Sequence, residues 1–307
     1  MIQNFLIVFG QTISLFLLVA VGYGLYKRHM LDDRGAAQMT DLLLYTVTPC
    51  VVLHAFCRPF DPQTARAIGI FALAGAAAMT FGILVGTLLF RRGEENSRAV
   101  QKFSMVFSNC GFMGIPLAGA LCGEEGTLYA SIYVVIFNLF QWTYGAAMMS
   151  GQRLSVRKAF LNPCMLGLAA GLPLFLLSLT LPAPLENAVS MMAGLNSPLA
   201  MIVIGVHLAK TDLPATWRDT RCYFAAVMRL VVQPAIVMSV VLALGGLDDK
   251  QTLTLAVMCG APVAASCALF SAKFGRDTVL ASRMVALSTL LSMLTLPLLA
   301  AAVRLFL

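Results

Sequence analysis

The chain reads as an all-α protein that crosses a membrane many times, and three observations carry that reading. Of its 307 residues, 59% are hydrophobic and only 11% charged, with a mean hydropathy of +0.85. A soluble domain carries about 25% charged residues, so this chain lacks the charge to clothe a wet surface. Its apolar residues fall into runs of about 20, the length that spans the hydrocarbon as a helix. No run shows the roughly ten-residue alternation of a membrane β-strand. The same composition excludes a disordered, collagen-like or small disulfide-framed chain. A net charge of +7 does not point to nucleic acid, because too few polar residues remain to build a basic face.

Apolar runs between charged breaks predict ten spans, at 5–26, 36–57, 67–90, 103–121, 126–149, 163–180, 187–209, 221–245, 252–271 and 279–303. The connections are short and leave no soluble domain. The first run is not expected to be a cleaved leader: no Lys or Arg precedes it and no small-residue cleavage site follows. Lys27 and Arg28 stand behind it instead.

Basic residues fall into alternate connections. One set holds Lys27, Arg28 and Arg34, then Arg91, Arg92, Arg98 and Lys102, then Arg153, Arg157 and Lys158. It continues with Lys210, Arg218 and Arg221, and with Lys273, Arg276 and Arg283. The other set holds only Arg58, Arg66, Lys250 and Arg304. The positive-inside rule places the first set in the cytoplasm. Both termini of a ten-span protein of the cell membrane are then expected outside it.

The eight cysteines lie in or near spans without metal-site spacing and read as packing hydrophobes. Only Cys57 and Cys122 fall near enough to the outer face to pair.

Ten spans divide into halves of five, 1–151 and 152–307. Five is odd, so the second half would be inverted relative to the first, a recurring transporter plan. Landmarks match at nearly the same offset. Thr48-Pro49 in span two answers Ser197-Pro198 in span seven, and Cys110-Gly111 with Pro116 in span four answers Cys259-Gly260 with Pro262 in span nine.

Spans four and nine are predicted to break. Span four carries Ser108-Asn109-Cys110-Gly111-Phe112-Met113-Gly114-Ile115-Pro116 at its midpoint, and span nine carries Cys259-Gly260-Ala261-Pro262 and then Ser266. Proline removes a donor and clashes with the preceding turn, and glycine weakens a helix. The freed backbone groups must be buried in protein or line a wet cavity. Each proline is expected to begin a new half-helix. Because the spans run in opposite directions, two half-helix N-termini would meet near the midplane, each with about half a positive charge. Such a site suits an anion, most naturally a carboxylate. The competing reading is a pair of kinks that serve packing alone. The candidate binding residues here are Asn109, Gly111, Gly114, Pro116, Gly260, Pro262 and Ser266.

Asn138 sits at the centre of span five, with Ser288, Thr289 and Ser292 at the corresponding depth of span ten. These polar groups read either as ligand contacts or as bonds between helices. Arg229 is the only charge well inside a span. It reads as a group that attracts substrate or pairs within the path, or as a snorkelling side chain. His54 and His207, near span ends, read as interfacial, and Trp142 and Trp217 as interfacial anchors. Gly82/Gly86 and Gly167/Gly171 read as close helix contacts.

The acidic residues keep to loops and span ends, which argues against an antiporter built on midmembrane aspartates. No Walker A loop, HExxH or GxSxG is present, so no enzyme, cofactor or metal is expected.

The stretch Ser108–Pro116, with Gly123-Glu124-Glu125-Gly126, Tyr129-Ala130, Phe137-Asn138 and Trp142-Thr143-Tyr144-Gly145, resembles the auxin efflux carrier family. Gly260-Ala261-Pro262, Arg229-Leu230 with Pro234, and Ser288-Thr289 through Pro297 agree with it in the second half. The resemblance covers the whole chain and is most specific between about 104 and 145. It is closer to the compact bacterial members, often described as malate or malonate permeases, than to plant carriers with their long hydrophilic central loop.

The resemblance implies ten helices in two inverted five-helix repeats, with helices four and nine broken and crossing. It implies a scaffold of helices 1, 2, 6 and 7, often dimeric, and a moving transport domain of helices 3–5 and 8–10. It carries the family's crossover prolines onto Pro116 and Pro262, its midmembrane asparagine onto Asn138, and a role onto Arg229. The function expected is secondary active transport of small organic anions, dicarboxylates such as malate or malonate, across the bilayer by alternating access. Proton and sodium both remain open as coupling ions. The alternatives are a sodium-coupled bile-acid-type symporter, a drug/metabolite exporter and a non-transporting anion sensor.

Overall fold

A computed structural model describes residues 2–151 and 161–307. Arg153, Arg157 and Lys158 therefore lie outside the described residues. The described chain forms helices α1 (Ile2–Lys27), α2 (Asp33–Ala55), α3 (Pro62–Leu89), α4 (Glu95–Val106), α5 (Cys110–Ser150) and α6 (Pro163–Leu176). It continues with α7 (Ala183–Lys210), α8 (Leu213–Arg218), α9 (Thr220–Leu244), α10 (Asp249–Gly260), α11 (Ser266–Lys273) and α12 (Thr278–Val303). Seven of these, α1, α2, α3, α5, α7, α9 and α12, are long and apolar enough to cross a membrane. No strand forms among the described residues; a single bridge, between Ser108 and Val263, is the only β pairing. The chain is an all-helical, polytopic membrane protein.

Polar caps mark where helices start. Asp32, Asp61, Asn162, Asp212, Asp219 and Asp277 each accept from a backbone N–H of the first turn, which satisfies donors that would otherwise be orphaned. Asp248 and Gln251 close a reciprocal capping box at α10. At 41 residues α5 is too long for one crossing, and it turns back at Gly123, whose φ of 65° suits a residue without a Cβ.

Three prolines widen the helices that contain them. Pro49, Pro116 and Pro234 are each preceded by a π turn, at Leu43–Val47, Cys110–Gly114 and Met228–Val232. Each π turn ends two residues before the proline. A proline offers no N–H to the carbonyl four residues back, and the wider turn takes up the slack without a break.

Glycines set the closest helix contacts. Gly22 of α1 lies against the backbone of Ile202 in α7, and Gly205 of α7 lies against Val19 and Tyr23. Gly167 of α6 packs on Pro49 and Gly171 on Leu53 and Phe56, so the Gly167/Gly171 pair is a helix contact as expected. Gly82 of α3 leaves room for the Gln233 amide, and Gly86 packs against Met105.

Ion pairs sort the connections into two ends. At one end Lys210 meets Asp33 at 2.7 Å, Arg276 meets Glu95 at 3.0 Å and Arg283 meets Asp219 at 3.5 Å. At the other, Arg58 meets Glu124, Lys250 meets Glu125 and Arg304 meets Asp249. No pair among the described residues crosses between the sets. The first set is the one rich in Lys and Arg, called the basic end below. All eight cysteines are free, Cys57 and Cys122 included. The thiol of Cys122 instead donates to the Lys250 carbonyl.

Candidate functional site

The chain leaves helical geometry twice in mid-protein. Between α4 and α5, Phe107 is extended at φ −99°, ψ 108°, and Asn109 sits at φ −77°, ψ 48°. Between α10 and α11, Ala261 is extended at φ −61°, ψ 147°, the conformation a following proline favours. The two breaks cross and pair: Asn109 N–H donates to the Pro262 carbonyl at 2.7 Å, and Ala264 N–H donates to the Phe107 carbonyl at 2.9 Å. Ser288 Oγ accepts from Val263 N–H at 3.1 Å and so fixes the second break to α12. The freed backbone groups thus satisfy one another across the crossover, as water-free surroundings require.

The half-helices do not begin at the prolines, which corrects the sequence expectation. In span four the new helix starts at Cys110, and Pro116 falls in its first α turn behind the π turn. In span nine Pro262 lies inside the break, and α11 starts at Ser266. Pairing with the opposite break, rather than proline chemistry alone, decides where span four opens.

A cavity of about 120 Å³ borders the crossover, room for several waters or a small organic molecule. Of the residues singled out in the sequence as binding candidates, Asn109, Gly111, Asn138 and Ser266 line it. Asn109 is 4% exposed, and its Nδ2 has no hydrogen-bond partner; Ser108 Oγ is equally buried and unpartnered on the same wall. Orphaned buried polar groups are uncommon, and each calls for a reason. Asn138 Nδ2 donates to the Val134 carbonyl of its own helix, and Ser266 donates to Gln141 Oε1 at 2.6 Å. No side chain caps the N-terminus of α5 or of α11, so both half-helices present backbone donors toward this region with their positive ends.

The other candidates lie off the cavity. Gly114 packs on Met258 and Gly260 on Leu299, each where a Cβ would collide. Pro262 is reached through its carbonyl, Ser288 is spent on Val263, and Thr289 faces a small neighbouring void with its hydroxyl unpartnered.

Arg229 neither snorkels nor lines the cavity. It is 1% exposed, in the π turn of α9. Its Nη1 donates to the Met105 carbonyl at 3.1 Å and to Gln233 Oε1 at 2.8 Å, and its Nε donates to the Ala261 carbonyl at 3.3 Å. Met105 lies in the last turn of α4, and Ala261 caps α10. One guanidinium therefore neutralises the two negative helix ends at the crossover and leaves the two positive ends uncompensated.

Sequence reasoning missed several lining groups: Thr40 and Thr48 of α2, Gln141 and Trp142 of α5, Asn162 at the start of α6, and His207 of α7. Gln141 follows Asn138 by three residues, one helical turn, a signal that was available. The structure moves Trp142 from an interfacial anchor to the cavity wall and stacks it near Phe270.

Broken helices that meet beside a cavity inside a membrane protein are an arrangement that transporters use. The profile of a family described as "Membrane transport protein" matches residues 7–156 and 152–300. The chain belongs to that family, the auxin efflux carriers. One relative, from Rhizobium meliloti (strain 1021) and provisionally named a malonate transporter, is 26% identical over 301 residues, covering 93% of this chain and 92% of its own. Another, named an uncharacterized transporter, from Methanothermobacter thermautotrophicus, is 26% identical over 304 residues, covering 93% of this chain and 95% of its own.

Proposed function

We propose that this transporter carries small organic anions, dicarboxylates such as malate or malonate, by secondary active transport with alternating access about the crossover. One observation carries the reading: two uncapped half-helix N-termini and the orphaned Asn109 amide converge on a cavity that, among the described residues, no acidic side chain lines. Backbone donors at helix N-termini favour a carboxylate. The name given to the Rhizobium relative supports the dicarboxylate class. In this reading Asn109 and Asn138 orient the anion, Gly111 and Ser266 bring backbone and hydroxyl to it, and Pro116, Pro262, Gly114, Gly260, Ser288 and Thr289 shape or brace the crossover. Arg229 holds the negative helix ends in place rather than touching substrate.

The proposed architecture has ten spans in two inverted repeats, 1–151 and 152–307. α4 with the first part of α5 forms span four, the rest of α5 forms span five, and α10 with α11 forms span nine. The glycine contacts of α1 with α7 and of α6 with α2 support a scaffold of spans 1, 2, 6 and 7, through which two copies would pair. Spans 3–5 and 8–10 would move against it. The basic end is assigned to the cytoplasm of the cell membrane and both termini to the other side. In this reading the lining residues Thr40, Asn162 and His207 support a cavity on the basic-end side of the crossover, which would be an inward-facing state.

The test is uptake of labelled malonate and malate into proteoliposomes. Saturable uptake that other dicarboxylates compete away is expected. Uptake that strictly follows a sodium gradient would favour the bile-acid-type symporter, and binding without uptake would favour a sensor.

A further inference from the structure

His207 lies three residues from the basic end of α7, yet its side chain lines the crossover cavity and a small void behind it, beside Ser282 and Thr289. It is half-buried, and among the described residues neither ring nitrogen has a hydrogen bond. The charged groups around it are Lys210 on its own helix and Asp33 at the start of α2, and these two pair with each other at 2.7 Å. Tyr26 of α1 reaches Asp33 rather than the imidazole. From α12 the neighbours are Ser282, Val285, Ala286 and Thr289, none of them charged. Across the cavity stand Tyr45 of α2 and Cys164 of α6. α11 contributes Ala265, Ser266 and Leu269.

Among the described residues, no Lys, Arg, Asp or Glu lines the cavity. Among the described lining residues, the imidazole is thus the side chain whose charge changes between pH 5 and 8. A cation at this spot has no partner until an anion arrives, and burying an unpaired charge is unfavourable. Proton uptake and anion entry must therefore favour each other. The charges also match: two half-helix N-termini at about half a charge each, with one imidazolium, supply about two positive charges against a dicarboxylate dianion.

We infer that His207 is the proton-binding residue of the cavity, taking up one proton as the dicarboxylate enters and releasing it as the anion leaves, so that anion binding is linked to a proton. This rests on the anion-transport reading above and names the ion to which binding is linked.

Titration calorimetry of the purified full chain with malonate, in two buffers of different ionisation enthalpy between pH 6 and 8, counts the protons taken up. Wild type is expected to take up about one, with affinity falling by up to about tenfold per pH unit on the alkaline side. H207Q should bind about tenfold or more weakly at pH 6, take up no proton and lose the pH dependence. The chain has three histidines, and the double variant H29Q/H54Q, which keeps only His207, should behave as wild type. Proton uptake retained by H207Q, or absent from wild type, overturns the inference. Should H207Q fail to fold, the double variant decides: retained uptake supports His207 and lost uptake overturns it. A wild-type protein that binds and transports no dicarboxylate refutes the anion reading itself, and this inference falls with it. Anion transport with no proton uptake refutes His207 alone.

Discussion

The backbone N–H of Asn109 donates to the carbonyl of Pro262 at 2.7 Å across a separation of 153 positions in sequence. That bond and its partner between Ala264 and Phe107 join two broken helices into one crossover. Everything proposed for the site depends on that junction. The side chain of Asn109 is left facing a cavity because its backbone is already committed.

Arg229 braces the junction from behind. Hydrogen bonds to charged groups contribute roughly 1.5–3 kcal/mol each, and a buried acceptor left unpaired costs a further amount. R229A should therefore destabilise the protein by about 3 kcal/mol or more, read as a lower melting temperature in detergent. R229K should recover only part of this, because an ammonium lacks the fork that reaches Met105, Ala261 and Gln233 together.

Pro116 holds a π turn open ahead of itself. In P116A the new N–H can close an ordinary turn onto Phe112, which would shift Gly111 and Asn109 relative to the cavity. Transport should fall severalfold while expression and melting temperature stay near wild type. Unchanged transport kinetics would show that the wider turn has no bearing on the site.

The α1–α7 contact rests on glycines whose Cβ positions are occupied by partner backbone. G22A and G205A should each cost roughly 1–3 kcal/mol through forced separation of the helices. G24A, two residues further along α1 and facing open space, should cost little. Thermal melts of the three variants side by side check the contrast.

At the basic end, the hydrogen bond from Arg221 holds the Asp219 carboxyl below its ordinary value of 3.8, with burial opposing it and Arg283 also nearby. A folded-state value below the unfolded one means stability that is full above about pH 4 and lost as pH falls through the lowered value. Wild type should lose stability on the acid side below pH 4, and D219N should lose less over the same interval. Melting curves between pH 3 and 6 measure the difference.

Much of this was legible in the sequence, and the failures have physical causes. The seven long apolar helices followed from apolar runs, and the sites of breakage from glycine and proline within two of the runs. The start of the half-helix at Cys110 was not legible, because a backbone pairing with Val263 and its neighbours sets it, and pairing between distant residues leaves no local signature. Arg229 stood out as a buried charge, but its partners are carbonyls, which carry no residue identity to read. His207 was assigned to an interface from its place near a span end. Only the packing of α2, α6, α7 and α12 around it shows that its ring meets the cavity. Asn138 and Ser266 were identified as polar groups at depth, and the structure brings both to one wall.

The most direct test of the central claim, that the cavity at the crossover is where the anion binds, is malonate uptake by proteoliposomes carrying wild type or N109D. The substitution keeps the shape of the side chain and places a negative charge beside the two half-helix N-termini. Saturable uptake by wild type, reduced at least tenfold in N109D at equal protein level and similar melting temperature, is the expected result. Equal uptake by the two proteins would place the anion elsewhere and contradict the account.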